Sequence, residues 1–195
     1  MACFFHTEDY FYQEHLWQVM SFKEGLNNKI MQKTFDQLTQ MLRRYSKVFA
    51  IRFDLRFCLE TYNNKMISKF RDRLNRRLSK KYKCDIGYVW VREQTESAET
   101  SHYHYVIFLN GHKTWKSFGF GKIIDSVCDS LNHFSPYYPK NNGYMIKRDD
   151  SKSIQRVIYR LSYLAKNESK GNRPRGVSDY GTSRLKSMRA NRLNA

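Results

Sequence analysis

Two histidines separated by one residue lie in the apolar segment TSHYHYVIFL, residues 100–109, which predicts a β-strand. Side chains at positions i and i+2 of a strand leave the same face, so His102 and His104 can converge on one ion. Mg²⁺ and Mn²⁺ prefer oxygen but accept imidazole, and two histidines plus one carboxylate leave coordination positions for phosphate oxygens. The pattern therefore indicates a divalent metal site, although most such histidine pairs are ordinary surface or core residues.

The carboxylate of this site is expected on the preceding strand, CDIGYVWVREQ, residues 84–94. The polar stretch TESAE joins the two strands, and so short a connection makes them antiparallel neighbours. A turn centred in this stretch places Glu93 opposite His102, with its side chain on the face of both histidines. A shifted register makes Glu96 the alternate, and Glu93 would then be a plain surface carboxylate.

Two tyrosines provide a possible nucleophile. The segment 154–166 has the apolar spacing of a helix, and Tyr159 and Tyr163, four residues apart, are neighbours on one face, with Lys166 one turn further. A tyrosine hydroxyl can attack a phosphodiester, giving a 5′-phosphotyrosine and a free 3′-hydroxyl, and a lysine can neutralise the developing charge. The alternatives are simple packing for the tyrosines and a helix C-terminal cation for Lys166.

The charge balance makes a nucleic acid the expected partner. The formal net charge is +17, from 35 basic and 18 acidic residues. A helix predicted over residues 63–80 has one apolar face and one basic face, which is either a solvated surface or a phosphate-binding surface. The cations expected to contact DNA are Lys65, Lys69, Arg73, Arg76, Arg77 and Lys80.

No compartment other than the cytoplasm is indicated. The sequence has no run of about 18 apolar residues for a membrane span. Glu8 and Asp9 stand where a signal peptide would carry positive charge. The four cysteines include no CxxC pair, which favours a reducing compartment.

The remaining pattern predicts an α+β fold. Apolar spacing predicts helices over 28–46, 63–80, 116–134 and 154–166, strands over 47–57, 84–94, 100–109 and 144–147, and a loop over 135–143. Asp149 or Ser151 is expected to cap the last helix. The order β-α-β-β-α-β predicts a ferredoxin-like or RRM-like antiparallel sheet with helices packed on one face. We expect an N-terminal arm and helix (1–47), a central domain (48–166) and a basic, extended tail (167–195).

Three polar residues of the first predicted strand, Arg52, Asp54 and Arg56, alternate with its apolar positions. They therefore point away from the face that carries Ile51 and Phe53. They either border the predicted metal site or are the polar residues that ordinarily alternate with apolar residues along a strand.

These motifs resemble those of a known superfamily. His102-Tyr103-His104 resembles the HUH signature of HUH endonucleases, and Tyr159 to Lys166 (YRLSYLAK) resembles the YxxxYxxK motif of their rolling-circle replication initiators. The stretch from Val48 to Arg184 resembles the inovirus gene-two-type replication proteins, the YagK/YfjJ C-terminal domain family. The further matching pieces are IRFDLR, VREQ and GTSR, the last ending at Arg184.

The resemblance implies roles for single residues. His102, His104 and Glu93 would bind Mg²⁺ or Mn²⁺, Tyr163 and Tyr159 would be nucleophiles, and Arg184 would contact DNA. Residues 48–166 would then be an HUH catalytic domain that nicks one DNA strand, starts rolling-circle replication of a phage or mobile element, and rejoins strands. The expected partners are origin DNA, a host helicase and the replication machinery in a bacterial cytoplasm. The alternatives are an HUH transposase or relaxase, and a non-catalytic nucleic-acid-binding regulator on an RRM-like sheet.

Overall fold

A computed structural model describes residues 6–58, 63–94, 101–116, 118–168 and 174–185 of the chain. In chain order its elements are β1 (Thr7–Tyr12), β2 (His15–Met20), α1 (Asn28–Arg44), β3 (Lys47–Phe57), α2 (Lys65–Tyr82), β4 (Gly87–Glu93), β5 (His102–Asn110), α3 (Phe118–Asp129), β6 (Phe134–Tyr137), β7 (Gly143–Lys147), α4 (Ser151–Ser162), a 3₁₀ turn (Tyr163–Ala165) and β8 (Tyr180–Thr182).

The main sheet is antiparallel, with strand order β6-β3-β5-β4-β8, and β7 pairs with β3 on the same edge as β6. The path β3-α2-β4-β5-α3-β6 has the β-α-β-β-α-β order of a ferredoxin-like fold. The predicted α+β, ferredoxin-like class is therefore confirmed.

The first core fills one face of this sheet. Phe53 and Tyr105 point to it from β3 and β5, and their rings stack with centroids 5.0 Å apart. Helices α2 and α3 cover them with Phe70 and Phe120, each 6.2 Å from the Phe53 ring. The two helices of the ferredoxin-like core therefore share a face, as the apolar periodicity predicts.

A second core fills the opposite face, which α1 and α4 cover. Val48 and Ala50 of β3 and Val106 of β5 are fully buried there, against Leu38 of α1 and Val157 of α4. The expectation that helices pack on one face describes α2 and α3 only. Because the central strands are buried on both faces, β5 has an almost continuous apolar run rather than a strict alternation.

The strand register follows the sequence-based expectation at the hairpin. Glu93 of β4 pairs with His102 of β5, which confirms that predicted pairing. The turn between these strands, with the alternate residue Glu96, lies outside the described residues. On the other side of β5, His104 pairs with Asp54 of β3.

Two local expectations were wrong. Residues 134–137, most of which were expected in a loop, form β6 on the edge of β3, where Pro136 is tolerated because an edge strand leaves one side unbonded. Helix α4 is capped by Asp150, whose side chain accepts the Ser153 amide at 3.2 Å, rather than by Asp149 or Ser151.

The N-terminal residues, for which the sequence predicted no element, form the hairpin β1-β2. The Tyr12 ring stacks on Phe35 of α1 at 4.2 Å, and the Met20 amide donates to Ser162 Oγ of α4 at 3.0 Å. At the other end of the chain, residues 180–182, within the segment expected as an extended tail, form β8 on the edge of β4. Among the described helices, none has the length and apolar character needed to cross a membrane.

Candidate functional site

One end of the face under α1 and α4 is polar. Each of the three central strands changes there from buried apolar residues to charged or imidazole side chains. The change runs from Ala50 to Asp54 on β3, from Val106 to His104 on β5, and from Val91 to Glu93 on β4. Since neighbouring antiparallel strands change at the same level, their polar side chains form one cluster.

His104 is the centre of this cluster and is only 7% exposed. Its Nδ1 lies 2.8 Å from Oδ1 of Asp54, and its Nε2 lies 2.9 Å from Oε2 of Glu93. Arg52 Nε is 3.5 Å from the same Asp54 oxygen. Asp54 was expected only to border the site, whereas it contacts the central histidine directly.

The charges in the cluster support one another. Burial by itself lowers the pKa of His104, but Asp54 and Glu93 outweigh it, so this pKa is raised above its ordinary value. Burial alone would raise the pKa of Asp54, but His104 and Arg52 hold it below its usual range. The two carboxylates therefore favour the protonated form of His104 against the effect of its burial.

Tyr163 packs against His104. Its ring meets the imidazole edge-on, with centroids 5.4 Å apart and an interplanar angle of 86°. Lys166 Nζ donates to the Tyr163 hydroxyl at 3.1 Å and lies 3.4 Å from Oε2 of Glu93. The hydroxyl, the ammonium and the Glu93 carboxylate thus form one chain of polar contacts that leads to His104.

Two cations lie against the ring of Tyr163. The Arg52 guanidinium carbon and Lys166 Nζ each lie 4.6 Å from the centre of the Tyr163 ring. Burial lowers the pKa of Lys166, but Glu93 and Tyr163 reverse this effect and raise it above its ordinary value. Lys166 is therefore a stable cation at neutral pH.

The backbone around Tyr163 is positioned by an N-terminal strap, residues 22–27. Helix α4 ends at Ser162, and in the 3₁₀ turn that follows, the Ala165 carbonyl accepts the Asn27 amide at 2.7 Å. The Asn167 amide donates to Gly25 at 3.0 Å, and Gly25 has the positive φ of +67° that its turn requires. No sequence pattern predicts this strap, because its contacts join residues about 140 positions apart and leave no local periodic pattern.

Two other predicted site residues lie at the edge of the cluster. His102 is half-buried and pairs with Glu93 and Arg56, and burial, Arg56 and His104 lower its pKa. Tyr159 lies one helical turn before Tyr163, and among the described residues its side chain has no hydrogen bond or ring contact.

The cations of α2 lie on the other face of the sheet. Arg73 and Arg77 donate to Ser130 and Ser126 beside α3 at 2.8 and 2.6 Å. The remaining predicted contacts on α2, all exposed, are Lys65, Lys69, Arg76 and Lys80. Arg184 lines a cavity of about 800 Å³ near α2, together with Arg71 and Trp90. The expected DNA-binding residues are therefore not adjacent to His104.

The donors fit a hard divalent ion in type. His104 Nε2 is buried, and despite its 2.9 Å contact with Glu93 it makes no hydrogen bond of good angular geometry. Such a nitrogen and carboxylate oxygen are suited to share an ion. In the part of the chain that the structure describes, however, no three His, Cys, Asp or Glu side chains are grouped closely enough to hold a metal. His104 and Glu93 are brought together, and His102 is not grouped with them.

Comparison with known proteins identifies the family. No curated protein and no solved structure matches the chain. The family model of the YagK/YfjJ C-terminal domain matches residues 10–183, which include most of the N-terminal hairpin, the strap, the polar cluster and β8. The chain therefore belongs to the YagK/YfjJ C-terminal domain family.

Proposed function

We propose that this protein is a metal-dependent DNA endonuclease and strand transferase of the HUH type, which nicks one strand to start rolling-circle replication. The observation that carries the proposal is the position of Tyr163. Its hydroxyl is held by Lys166 next to His104, which itself lies between Asp54 and Glu93. A nucleophile, a cation and imidazole and carboxylate donors in one cluster are the groups that phosphodiester transfer requires.

In this mechanism the Tyr163 oxygen attacks the scissile phosphorus. The bond from phosphorus to the 3′-oxygen breaks, the tyrosine proton ends on that oxygen, and the 5′-phosphate stays on Tyr163. One phosphodiester replaces another, so an incoming 3′-hydroxyl can reverse the step and rejoin strands. The Lys166 ammonium, 3.1 Å from the hydroxyl, stabilises negative charge that develops on the transferred phosphate.

The remaining residues orient these groups. Asp54 binds Nδ1 of His104, which leaves Nε2 directed at Glu93. His104 and Glu93 would hold a divalent ion, which would polarise the scissile phosphate, whereas His102, the third ligand that the resemblance implies, is not grouped with them among the described residues. Arg52 stacks on the Tyr163 ring and limits its rotation.

The test is formation of a covalent protein–DNA adduct. The protein is incubated with Mn²⁺ and with single-stranded or supercoiled DNA that carries the origin of the element encoding it. We expect an adduct that resists denaturing electrophoresis, is lost in Tyr163→Phe and in EDTA, and persists in Tyr159→Phe. Tyr159→Phe is the matched control because that hydroxyl has no contact with the cluster. No adduct from the unmodified protein, or an unchanged adduct in Tyr163→Phe, would falsify the proposal.

The non-catalytic regulator is a second candidate, favoured by one observation. His104 is already balanced by two carboxylates, at 2.8 and 2.9 Å. This candidate predicts DNA binding that is equal with and without EDTA and unaffected by His102→Ala or His104→Ala. A titration under both conditions separates it from the nickase, and mapping the cleaved sequence separates replication from transposition or conjugative relaxation.

A further inference from the structure

An exposed aromatic residue lies next to the polar cluster on the edge strand β6. Tyr137 is 59% exposed and is the direct partner of Asp54 in the β3-β6 ladder. Asp54 is in turn the direct partner of His104 in the β3-β5 ladder. Because directly opposite residues of antiparallel strands share a face, Tyr137, Asp54 and His104 form one row across the sheet.

The other residues of β6 confirm which face Tyr137 occupies. Phe134, three residues earlier, packs in the first core, with its ring 4.9 Å from Phe57 and 5.3 Å from Phe70. Pro136 pairs with Leu55, which belongs to the same core. Since side chains alternate along a strand, Tyr137 points to the opposite face, where His104 lies.

A second row on the same face runs parallel to the first, two residues closer to the end of the sheet. Arg56 of β3 is exposed and pairs with His102 on one side and Ser135 on the other. The aromatic ring and the guanidinium are therefore adjacent on the outer part of the face. Tyr137 lies two strand spacings from His104, roughly 10 Å.

We propose that this edge of the sheet binds the single strand beside the scissile phosphate. Tyr137 stacks an unpaired base of a neighbouring nucleotide, and Arg56 contacts a backbone phosphate. The inference rests on the proposed function, which supplies the single-stranded substrate. The chemistry is that of a stacking platform: an exposed ring accepts any base, while a cation beside it binds the backbone. The charge of +17 makes an anionic strand the matching occupant.

The test measures binding of a fluorescein-labelled, mixed-sequence single-stranded DNA by anisotropy in EDTA, so that no metal-dependent cleavage occurs. We expect Tyr137→Ala to weaken binding about fivefold or more and Tyr137→Phe to retain it, because stacking requires the ring and not the hydroxyl. Arg56→Gln should reduce the slope of log affinity against log salt by about 0.7. The matched control is Trp115→Ala, since Trp115 is 65% exposed but follows β5 at the opposite end of the sheet.

Unchanged affinity in Tyr137→Ala, or an equal loss in Trp115→Ala, overturns the inference. Thermal unfolding of each variant shows whether the fold is retained, and Tyr137→Leu, which keeps an apolar side chain but removes the ring, provides the readout if Tyr137→Ala is unstable. The adduct assay separates this result from the proposed function. Affinity lost in Tyr137→Ala without any adduct from the unmodified protein supports the strand path and refutes the nickase. A covalent adduct at Tyr163, together with unchanged DNA affinity in Tyr137→Ala, supports the nickase and refutes the strand path.

Discussion

Asp54 and Glu93 lie within 2.8 and 2.9 Å of the two ring nitrogens of His104, and this arrangement distinguishes the roles of the two carboxylates. A histidine ligand is oriented by the partner of its second nitrogen, and the loss of such a partner typically weakens metal binding. Nε2 faces Glu93, the predicted metal ligand, so Nδ1 and Asp54 form the orienting contact. Tyr163 packs on the same ring, so the orientation of His104 also affects the proposed nucleophile.

Asp54→Asn should weaken Mn²⁺ binding by about 10- to 100-fold, because the amide no longer holds the imidazole by charge. The measurement is a calorimetric titration with Mn²⁺, followed by the adduct assay at saturating metal. Asp72→Asn is the control, since Asp72 is exposed on α2 and contacts Arg71 on the other side of the sheet. Equal Mn²⁺ affinity in the unmodified protein and Asp54→Asn would rule out the orienting role.

At the scale of elements, the end of α4 depends on the N-terminal hairpin and strap. Ser162 is fully buried, and its Oγ accepts the Met20 amide of β2 and donates to the Tyr159 carbonyl at 2.7 Å. The strap then bonds the backbone on both sides of Lys166. The hairpin and the strap therefore help to position Tyr163, although they carry none of the candidate catalytic groups.

Ser162→Ala should lower the free energy of unfolding by about 1–3 kcal/mol, because it leaves the Met20 amide buried without an acceptor. Chemical denaturation measures this loss. Ser79→Ala is the control, since Ser79 is exposed on α2 and a substitution there is expected to change stability by less than about 0.5 kcal/mol. A loss in Ser162→Ala no larger than in Ser79→Ala would show that the hairpin is not coupled to α4.

At the scale of the whole molecule, the direction of α2 decides which of its cations lie near the candidate site. β3 ends beside the polar cluster, α2 runs back from there, and β4 starts at the far end and returns to Glu93. The start of α2 is therefore at the end of the sheet that carries His104, although on the opposite face. A DNA strand that crosses this end of the sheet would therefore meet Lys65 and Lys69 before it meets the cations further along α2.

The double variant Lys65→Gln/Lys69→Gln should reduce the salt dependence of single-stranded DNA binding by about 0.7 in slope for each lost phosphate contact. The matched variant Arg76→Gln/Lys80→Gln removes the same charge from the distant half of α2 and should change the slope less. Anisotropy titrations at several salt concentrations provide the slopes. Equal slopes for the two variants would mean that the cations of α2 contribute only through the net charge of the protein and not through local phosphate contacts.

The cysteines provide a test of the packing itself. Cys58 is exposed just after the end of β3, whereas Cys128 is buried on α3, and burial with the nearby Asp125 and Asp129 raises its pKa to about 12. The thiolate is the reactive form, so at pH 8 only about one Cys128 thiol in 10⁴ is ionised. Iodoacetamide at pH 8 should therefore modify Cys58 and leave Cys128 intact until the protein is denatured, as peptide mass spectrometry can show. Rapid labelling of Cys128 in the folded protein would contradict the buried placement.

The sequence by itself determined the local elements and one side of the cluster. Period-two spacing predicted β3 at residues 47–57 with its observed bounds, and the short connection before His102 specified the Glu93 pairing, because a hairpin leaves few registers. Helical spacing predicted Tyr163 and Lys166 on a helix over 154–166, whereas the α-helix ends at Ser162, Tyr163 begins a 3₁₀ turn and Lys166 follows that turn. These features depend on contacts between near neighbours, which local patterns record.

Only the tertiary structure decided what surrounds His104. Asp54 reaches it from a strand 50 positions earlier, and the strap that holds Tyr163 comes from the first 27 residues. Tyr137 joins the same row through a short edge strand that reads as a loop by composition. The physical reason is that strand pairing and burial bring together residues far apart in the chain, and such contacts leave no periodic trace in the sequence around either partner.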